Sequence, residues 1–321
     1  MPCSQPERRL RNSPDDLAAL IGSAAKFLGY PSTWIEIDFW ATETLRSLAT
    51  PLGDAQVVFK GGTSLSKAHR IIRRMSLDVD IVAKFARAAG AGTRSSALTG
   101  LTDRVVADTG MTSEKITSGK GTHLNTWLYY DSTIGESREN ARVLLEMGCR
   151  GGTDPSYVCV IRSFIAEYCE RNSVSAEFAE LEQFQICTLG AERTLLEKLC
   201  AVHTLAVNTV RSGKFDPRGL RHFYDVAMLI QDATTIERLG ALDKSQVLED
   251  IRQRSLESGW PFEPLPAGGF ADSVAFDRTF FEDSRVQAPY SAVLDLVVSG
   301  PKPSLAEVAK IVRDKRELLR G

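Results

Sequence analysis

At 321 residues the chain is about twice the usual length of one domain, so two lobes are expected. Its 43% hydrophobic and 25% charged residues exclude disordered and fibrous classes. A formal net charge of -2 excludes a protein that coats nucleic acid through bulk charge. Taken in chain order, Ser13 and Asp15 to Leu28 read as a capped helix and Ile35 to Leu48 as a second. Gln56 to Lys60 is a short β-branched and aromatic run ending in Gly61-Gly62, after which Leu65, Ala68, Ile71 and Ile72 recur at helical spacing. Strand, tight turn and helix are therefore expected. Leu77 to Val82 alternates apolar and acidic residues, which predicts a strand with Asp78 and Asp80 on one face and Leu77, Val79 and Ile81 on the other.

Gly90 to Ser96 reads as a small-residue linker, followed by a helix over Leu98 to Asp108 and strands over Leu124 to Tyr130 and Ala141 to Met147. From Tyr157 the helical period dominates, over Val158 to Tyr168, Ala191 to Val207, Arg218 to Ile230, Ser245 to Ser258, Tyr290 to Ser299 and Leu305 to Leu319. Trp260 to Gly269 is loop by its proline and glycine content. The fold class expected is α/β (α+β): a mixed-sheet lobe with N-terminal helices over 1–189 and a mainly helical lobe over 190–321. No signal-peptide h-region and no run of about 18 apolar residues is present, so a cytoplasmic protein with no membrane partner is expected. Cysteines at 3, 149, 159, 169, 187 and 200 make no Cys-x-x-Cys and no zinc pattern with the histidines, and are read as reduced packing residues. The four tryptophans are scattered and show no stacking platform for single-stranded nucleic acid.

Two carboxylates two residues apart on a strand meet the needs of magnesium, which takes hard oxygen ligands and commonly uses one or two protein carboxylates beside substrate phosphates. An isolated Asp-x-Asp is more often an ordinary solvent-facing strand. The upstream turn changes the balance, because Gly61 and Gly62 let backbone N–H groups approach a phosphate without a Cβ in the way, while Thr63 and Ser64 add hydroxyls. The window from Lys60 to Arg74 holds five basic residues and no acidic one. It reads either as a solvated helix face or as a hold for a polyanion.

Phe59-Lys60-Gly61-Gly62-Thr63-Ser64-Leu65-Ser66-Lys67-Ala68, with Ser76-Leu77-Asp78-Val79-Asp80, resembles motifs one and two of the AbiEii/AbiGii toxin family. That family is a branch of the polymerase-beta-like nucleotidyltransferases found in bacterial toxin–antitoxin and phage-defence modules. Glu192 to His203 is similar to its motif three, Arg221 to Leu229 to its motif four, and Leu145 to Gly152 to a segment between them. The blocks span about half the chain. Two departures stand out: thirteen residues separate Ser64 from Asp78, and Leu196 precedes Glu197-Lys198 where relatives often carry an aromatic residue. Neither removes a catalytic group.

The resemblance implies Asp78 and Asp80 as metal ligands and Lys198 as a nucleotide contact. It also makes Asp225 the residue that positions Lys198 or a metal-bound group. Without it, Lys198 would be half of a Glu-Lys surface pair, and Arg221 with Asp225 an ordinary i,i+4 ion pair. Glu146, at a strand end, is either an exposed acid or a third carboxylate that deprotonates the attacking hydroxyl. Gly61, Gly62, Thr63, Ser64, Ser66, Lys67 and Arg150 are the expected surroundings of the phosphates, and Ser64 is also a conceivable acceptor if the enzyme is silenced by modification. His69, His203 and His222 are read as structural. The implied chemistry is transfer of a nucleoside monophosphate from an NTP, with Mg2+ or Mn2+, to RNA and in particular the 3′ end of tRNA. A cognate antitoxin is the expected partner. The alternatives are nucleotidylation of a protein hydroxyl and a nucleotide-binding regulator without turnover.

Overall fold

The computed structural model describes residues 8–51, 55–76, 78–85, 89–149, 152–175 and 177–320. The chain divides into two compact units: Met1–Ala68, Leu77–Cys149 and Ser156–Thr188 form the first, and His69–Ser76, Arg150–Pro155 and Leu189–Gly321 the second. Neither is continuous in sequence. The first unit holds helices α1 (Pro14–Leu28) and α2 (Ser32–Ala49), strand β1 (Gln56–Lys60), α3 (Gly61–Lys67), β2 (Asp78–Lys84) and α4 (Ala91–Thr109). There follow β3 (Thr112–Gly119), β4 (His123–Tyr129), β5 (Arg142–Gly148), β6 (Ser156–Ile161), α5 (Phe164–Arg171) and β7 (Phe184–Leu189). The strands make one mixed sheet in the order β3-β4-β5-β2-β1-β7-β6.

Alternation along the strands decides which face of this sheet is covered. Val79 and Ile81 on β2, Val143, Leu145 and Met147 on β5, and Leu124 and Leu128 on β4 are buried, with α2 against β2 and β5 and α4 against β4. Each such side chain contributes about 1.5–3 kcal/mol when fully buried. The residues between them, Asp78, Asp80, Leu144, Glu146, Asn125 and Trp127, are only half-buried and form the other face. The covering helix α2 is buried along most of its length and carries carboxylates inward that find partners: Glu36 accepts from Thr133 N at 2.7 Å and Ser132 Oγ at 2.8 Å, and Asp38 from Phe164 N at 2.8 Å.

The second unit contains α6 (Ala191–Ser212), α7 (Arg221–Gln231), α8 (Ala233–Ala241), α9 (Lys244–Ser258), α10 (Arg278–Phe281), α11 (Ser284–Val297) and α12 (Leu305–Asp314). The stripe Leu195, Leu199, Val202 and Ala206 on α6 is fully buried, with α7 and α8 against that helix. Phe223 on α7 meets Phe276, Phe280 and Tyr290 at ring-centroid distances of 6.0–6.4 Å. The short segment His69–Ser76 joins this unit through the backbone: Met75 N donates to Val297 O at 2.7 Å and Ser299 N to Arg73 O at 2.9 Å.

Several local readings change. The helix expected to run on through Ile71 and Ile72 stops at Lys67, with Arg70 at φ 58° and Ile72 buried outside any helix. Val158 to Tyr168 is a strand followed by a helix, because Ser163 caps α5 by accepting from Ala166 N at 3.1 Å. The expected linker from Gly90 is the start of α4, and α12 ends at Asp314. Strands β3, β6 and β7 were not foreseen; β3 is exposed along almost all its length and shows no apolar alternation. Leu77 lies outside the described residues.

Candidate active site

In the first unit the site is built by strand register. β2 runs parallel to β5 with Asp80 opposite Glu146 and Asp78 opposite Leu144, and β4 runs antiparallel to β5 with Asn125 opposite Glu146. Residues directly opposite share a face, so Asp80, Glu146 and Asn125 line up across three strands. On the other side of Asp80 stands Lys60, its partner across β1 and β2. Asn125 Nδ2 donates to Glu146 Oε1 at 3.0 Å. Burial pushes the Glu146 carboxyl up to about 7, and the charges of Asp80 and Asp78 and a hydrogen bond with Asp80 push the same way against Lys60. The sequence left Glu146 with two readings; the register sets it beside the aspartates.

The turn before these carboxylates is shaped to them. Gly61 has φ +76°, and a Cβ added there would fall 1.9 Å from Asp80 Oδ2. Only glycine combines that backbone with so close an approach. Gly61→Ala is expected to cost about 1–3 kcal/mol in urea denaturation, through strain and overpacking, and to displace Asp80. A variant as stable as the parent would show that the turn yields freely.

The expected phosphate group is only partly assembled. Thr63 Oγ1 donates to Asp78 O at 2.5 Å, Ser64 Oγ to Gly61 O at 2.8 Å and Ser66 Oγ to Thr63 O at 3.1 Å. Gly62, Thr63 and Ser64 are buried, so these hydroxyls brace the turn. Ser64, fully buried, is poorly placed as a modification acceptor. Lys67 is buried and forms an ion pair with Asp38, which removes it from the groups open to a triphosphate. Arg150 lies outside the described residues.

Lys198 and Asp225 meet in the second unit, around a residue that sequence reasoning missed. Arg74 makes a bidentate pair with Asp225, Nε to Oδ1 at 2.6 Å and Nη2 to Oδ2 at 2.8 Å, with both side chains buried. Lys198 Nζ lies 3.4 Å from Asp225 Oδ2 and donates to Nδ1 of His222 at 2.9 Å. Burial alone would raise Asp225, but Arg74 and Lys198 outweigh it and hold the carboxyl well below its ordinary range. The i,i+4 reading fails: Arg74 takes Asp225, and Arg221 Nε is buried without a partner among the described residues. Arg74 was visible only as one of five bases in its window.

His222 belongs to this cluster, whereas His203 is a structural histidine held by Ser273 Oγ at 2.7 Å and Pro264 O at 3.0 Å. His69 lies beyond the end of α3, its ring 2.8 Å from Leu189 O. Burial first, then the Lys198 charge and more weakly Arg74, lower the His222 pKa to about 4, against the pull of Asp225. The folded ring is neutral while the unfolded one binds a proton near pH 6.5. Its contribution to stability is therefore complete above about pH 6.5 and lost as pH falls towards 4. The loss of unfolding free energy over that window is expected to shrink in His222→Asn, which keeps an acceptor near Nδ1 without titrating. An unchanged slope would remove His222 as its source.

Three carboxylates with hard oxygen donors, one of them raised by burial and by the charge of the others, form a group that suits Mg2+ or Mn2+ better than a soft metal. Among the described residues no three acidic, histidine or cysteine side chains already stand as a closed metal cage.

A sheet carrying carboxylates beside a glycine turn, in a chain with a lysine–aspartate cluster, is the arrangement that a nucleotidyltransferase reading expects, and comparison with known proteins gives the class. The fold is similar to that of MenT4, a nucleotidyltransferase toxin from Mycobacterium tuberculosis H37Rv, with a TM-score of 0.57 and 16% identity over 94% of this chain and 89% of that one. No curated protein sequence matches. The family model described as nucleotidyl transferase AbiEii toxin, type IV toxin–antitoxin system, matches residues 43–312. The chain belongs to that family and is a nucleotidyltransferase toxin of this type. No helix among the described residues is long and apolar enough to cross a membrane.

Proposed function

We propose that the protein transfers a nucleoside monophosphate from an NTP to the 3′ end of an RNA, tRNA in particular, and that growth stops because the altered tRNA is no longer aminoacylated. The observation that supports this most is the alignment of Asp78, Asp80 and Glu146 on one half-exposed sheet face. Asp78 and Asp80 would hold Mg2+, which when bound neutralises triphosphate charge. Glu146, with its carboxyl near 7, suits the proton of the acceptor hydroxyl. The acceptor oxygen bonds to the α-phosphorus, the bond from that phosphorus to the bridging oxygen of the β-phosphate breaks, and pyrophosphate leaves. Lys198, held in the second unit by Asp225 and His222, is proposed for the nucleotide-contact role that family membership implies.

Incubation with each labelled NTP, Mg2+ and total tRNA tests the reading. Label is expected in an RNA band, dependent on Mg2+ and absent with Asp80→Ala. Label in a protein band would move the acceptor to a protein hydroxyl. Binding of NTP with no labelled product would leave a regulator.

A further inference from the structure

The face that carries the carboxylates continues onto β4 and β5 as a strip of aromatic rings covered by guanidinium groups. Asp78, Leu144 and Trp127 form one cross-strand row, so Trp127 stands two strands from Asp78, about 10 Å by ordinary strand spacing. Arg142 lies over the Trp127 ring with Cζ 4.0 Å from its centroid, and Arg138 over Tyr129 at 4.1 Å. Tyr129 is the next residue of this face along β4, opposite Arg142, and its hydroxyl donates to Glu114 Oε2 at 2.9 Å. Trp127 and Arg142 are half-buried, Arg138 is exposed, and among the described residues neither arginine pairs with a carboxylate. The strip begins at Asn125, which holds Glu146. Scattered in sequence, these residues gave no sign of a platform.

We propose that this strip is the docking track for the single-stranded end of the acceptor RNA, with a base stacking at Trp127, phosphates at Arg142 and Arg138, and the terminal hydroxyl delivered towards Glu146. The assignment rests on the transfer reading above and names where its acceptor lies. The occupant follows from chemistry: a guanidinium lying over an aromatic ring makes one stacking surface that accepts any base, and arginines with no carboxylate partner among the described residues offer charge to a polyanion. Two arginines over successive rings of one strand face match a ligand with repeated phosphates better than one nucleotide. Continuity with the carboxylates through Asn125 and Leu144 ties the strip to the reacting end.

The test uses the full-length protein and a short single-stranded oligoribonucleotide labelled at its 5′ end, followed by fluorescence anisotropy. Trp127→Ala is expected to weaken RNA binding about tenfold and Trp127→Phe much less, since the ring remains. Arg142→Ala is expected to weaken it and to reduce the slope of log affinity against log salt by about 0.7, the share of one phosphate on a single strand. Affinity for NTP should be unchanged in all of them. Undiminished RNA binding by a folded Trp127→Ala/Arg142→Ala protein overturns the proposal, and an equal loss of NTP affinity reassigns the strip to the nucleotide. Should Trp127→Ala not fold, Arg142→Met and the exposed Arg138→Met carry the same comparison. Wild-type protein that binds RNA through Trp127 but transfers nothing would refute the transferase reading alone; wild-type transfer to RNA with undiminished binding by the variants would refute the track alone.

Discussion

Asp80→Asn is expected to lower nucleotidyl transfer about a thousandfold or more while leaving the protein folded. Asparagine matches aspartate in size, so the contact with Gly61 is kept and only the charge goes. With that charge goes a hard anionic ligand, and the negative charge that favours a divalent cation at Asp78 and Glu146 is diminished. Stability should hold or rise, because Asp80 and Glu146 repel each other across β2 and β5 when both are ionised. Labelled transfer to RNA and a thermal melt of the same preparation separate the two effects. Equal transfer by wild type and variant would remove the carboxylate face from the chemistry. A melt lowered as far as the activity would instead make Asp80 a structural residue. Expressed alone in bacteria, the wild-type chain should arrest growth and the variant should not.

The second large effect is on stability. Arg74→Met is expected to cost about 3–5 kcal/mol in urea denaturation, because it leaves the buried carboxylate of Asp225 without its bidentate partner. Lys198 at 3.4 Å compensates in part, so Asp225→Ala, which strands both cations, should cost at least as much. Lys198 is 14% exposed against 1% for Arg74, and Lys198→Ala should therefore cost far less stability. Its expected loss is in transfer. The order of the three variants thus distinguishes a cation that holds the fold from one held for use. If Lys198→Ala were as unstable as Arg74→Met and transferred normally, the cluster would be structural throughout. Replacing Arg74 and Asp225 together by apolar residues should recover much of the stability without restoring transfer, since a well-packed apolar pair removes both buried charges.

Local spacing was enough for one part of this site. The period of two over Asp78 to Val82 places both aspartates on one strand face, and Gly61-Gly62 marks the tight turn before them; that a side chain at 61 would meet Asp80 is known only from the structure. The lysine at 198 and the aspartate at 225 were legible through their motif neighbourhoods, and their residue types already suggested a pair. Tertiary structure alone decided the rest. Glu146 sits beside Asp80 because β2 and β5 pair in parallel across an intervening hairpin, a register that no spacing encodes. Lys67 was expected at the phosphates but is taken by Asp38 from α2, and Asp225 chose Arg74 over Arg221. The aromatic strip exists only once β4 and β5 lie together. Side-chain direction within an element depends on neighbours a few residues away, so sequence determines it; which element lies alongside, and which cation reaches a buried acid first, is set by packing between residues far apart in the chain.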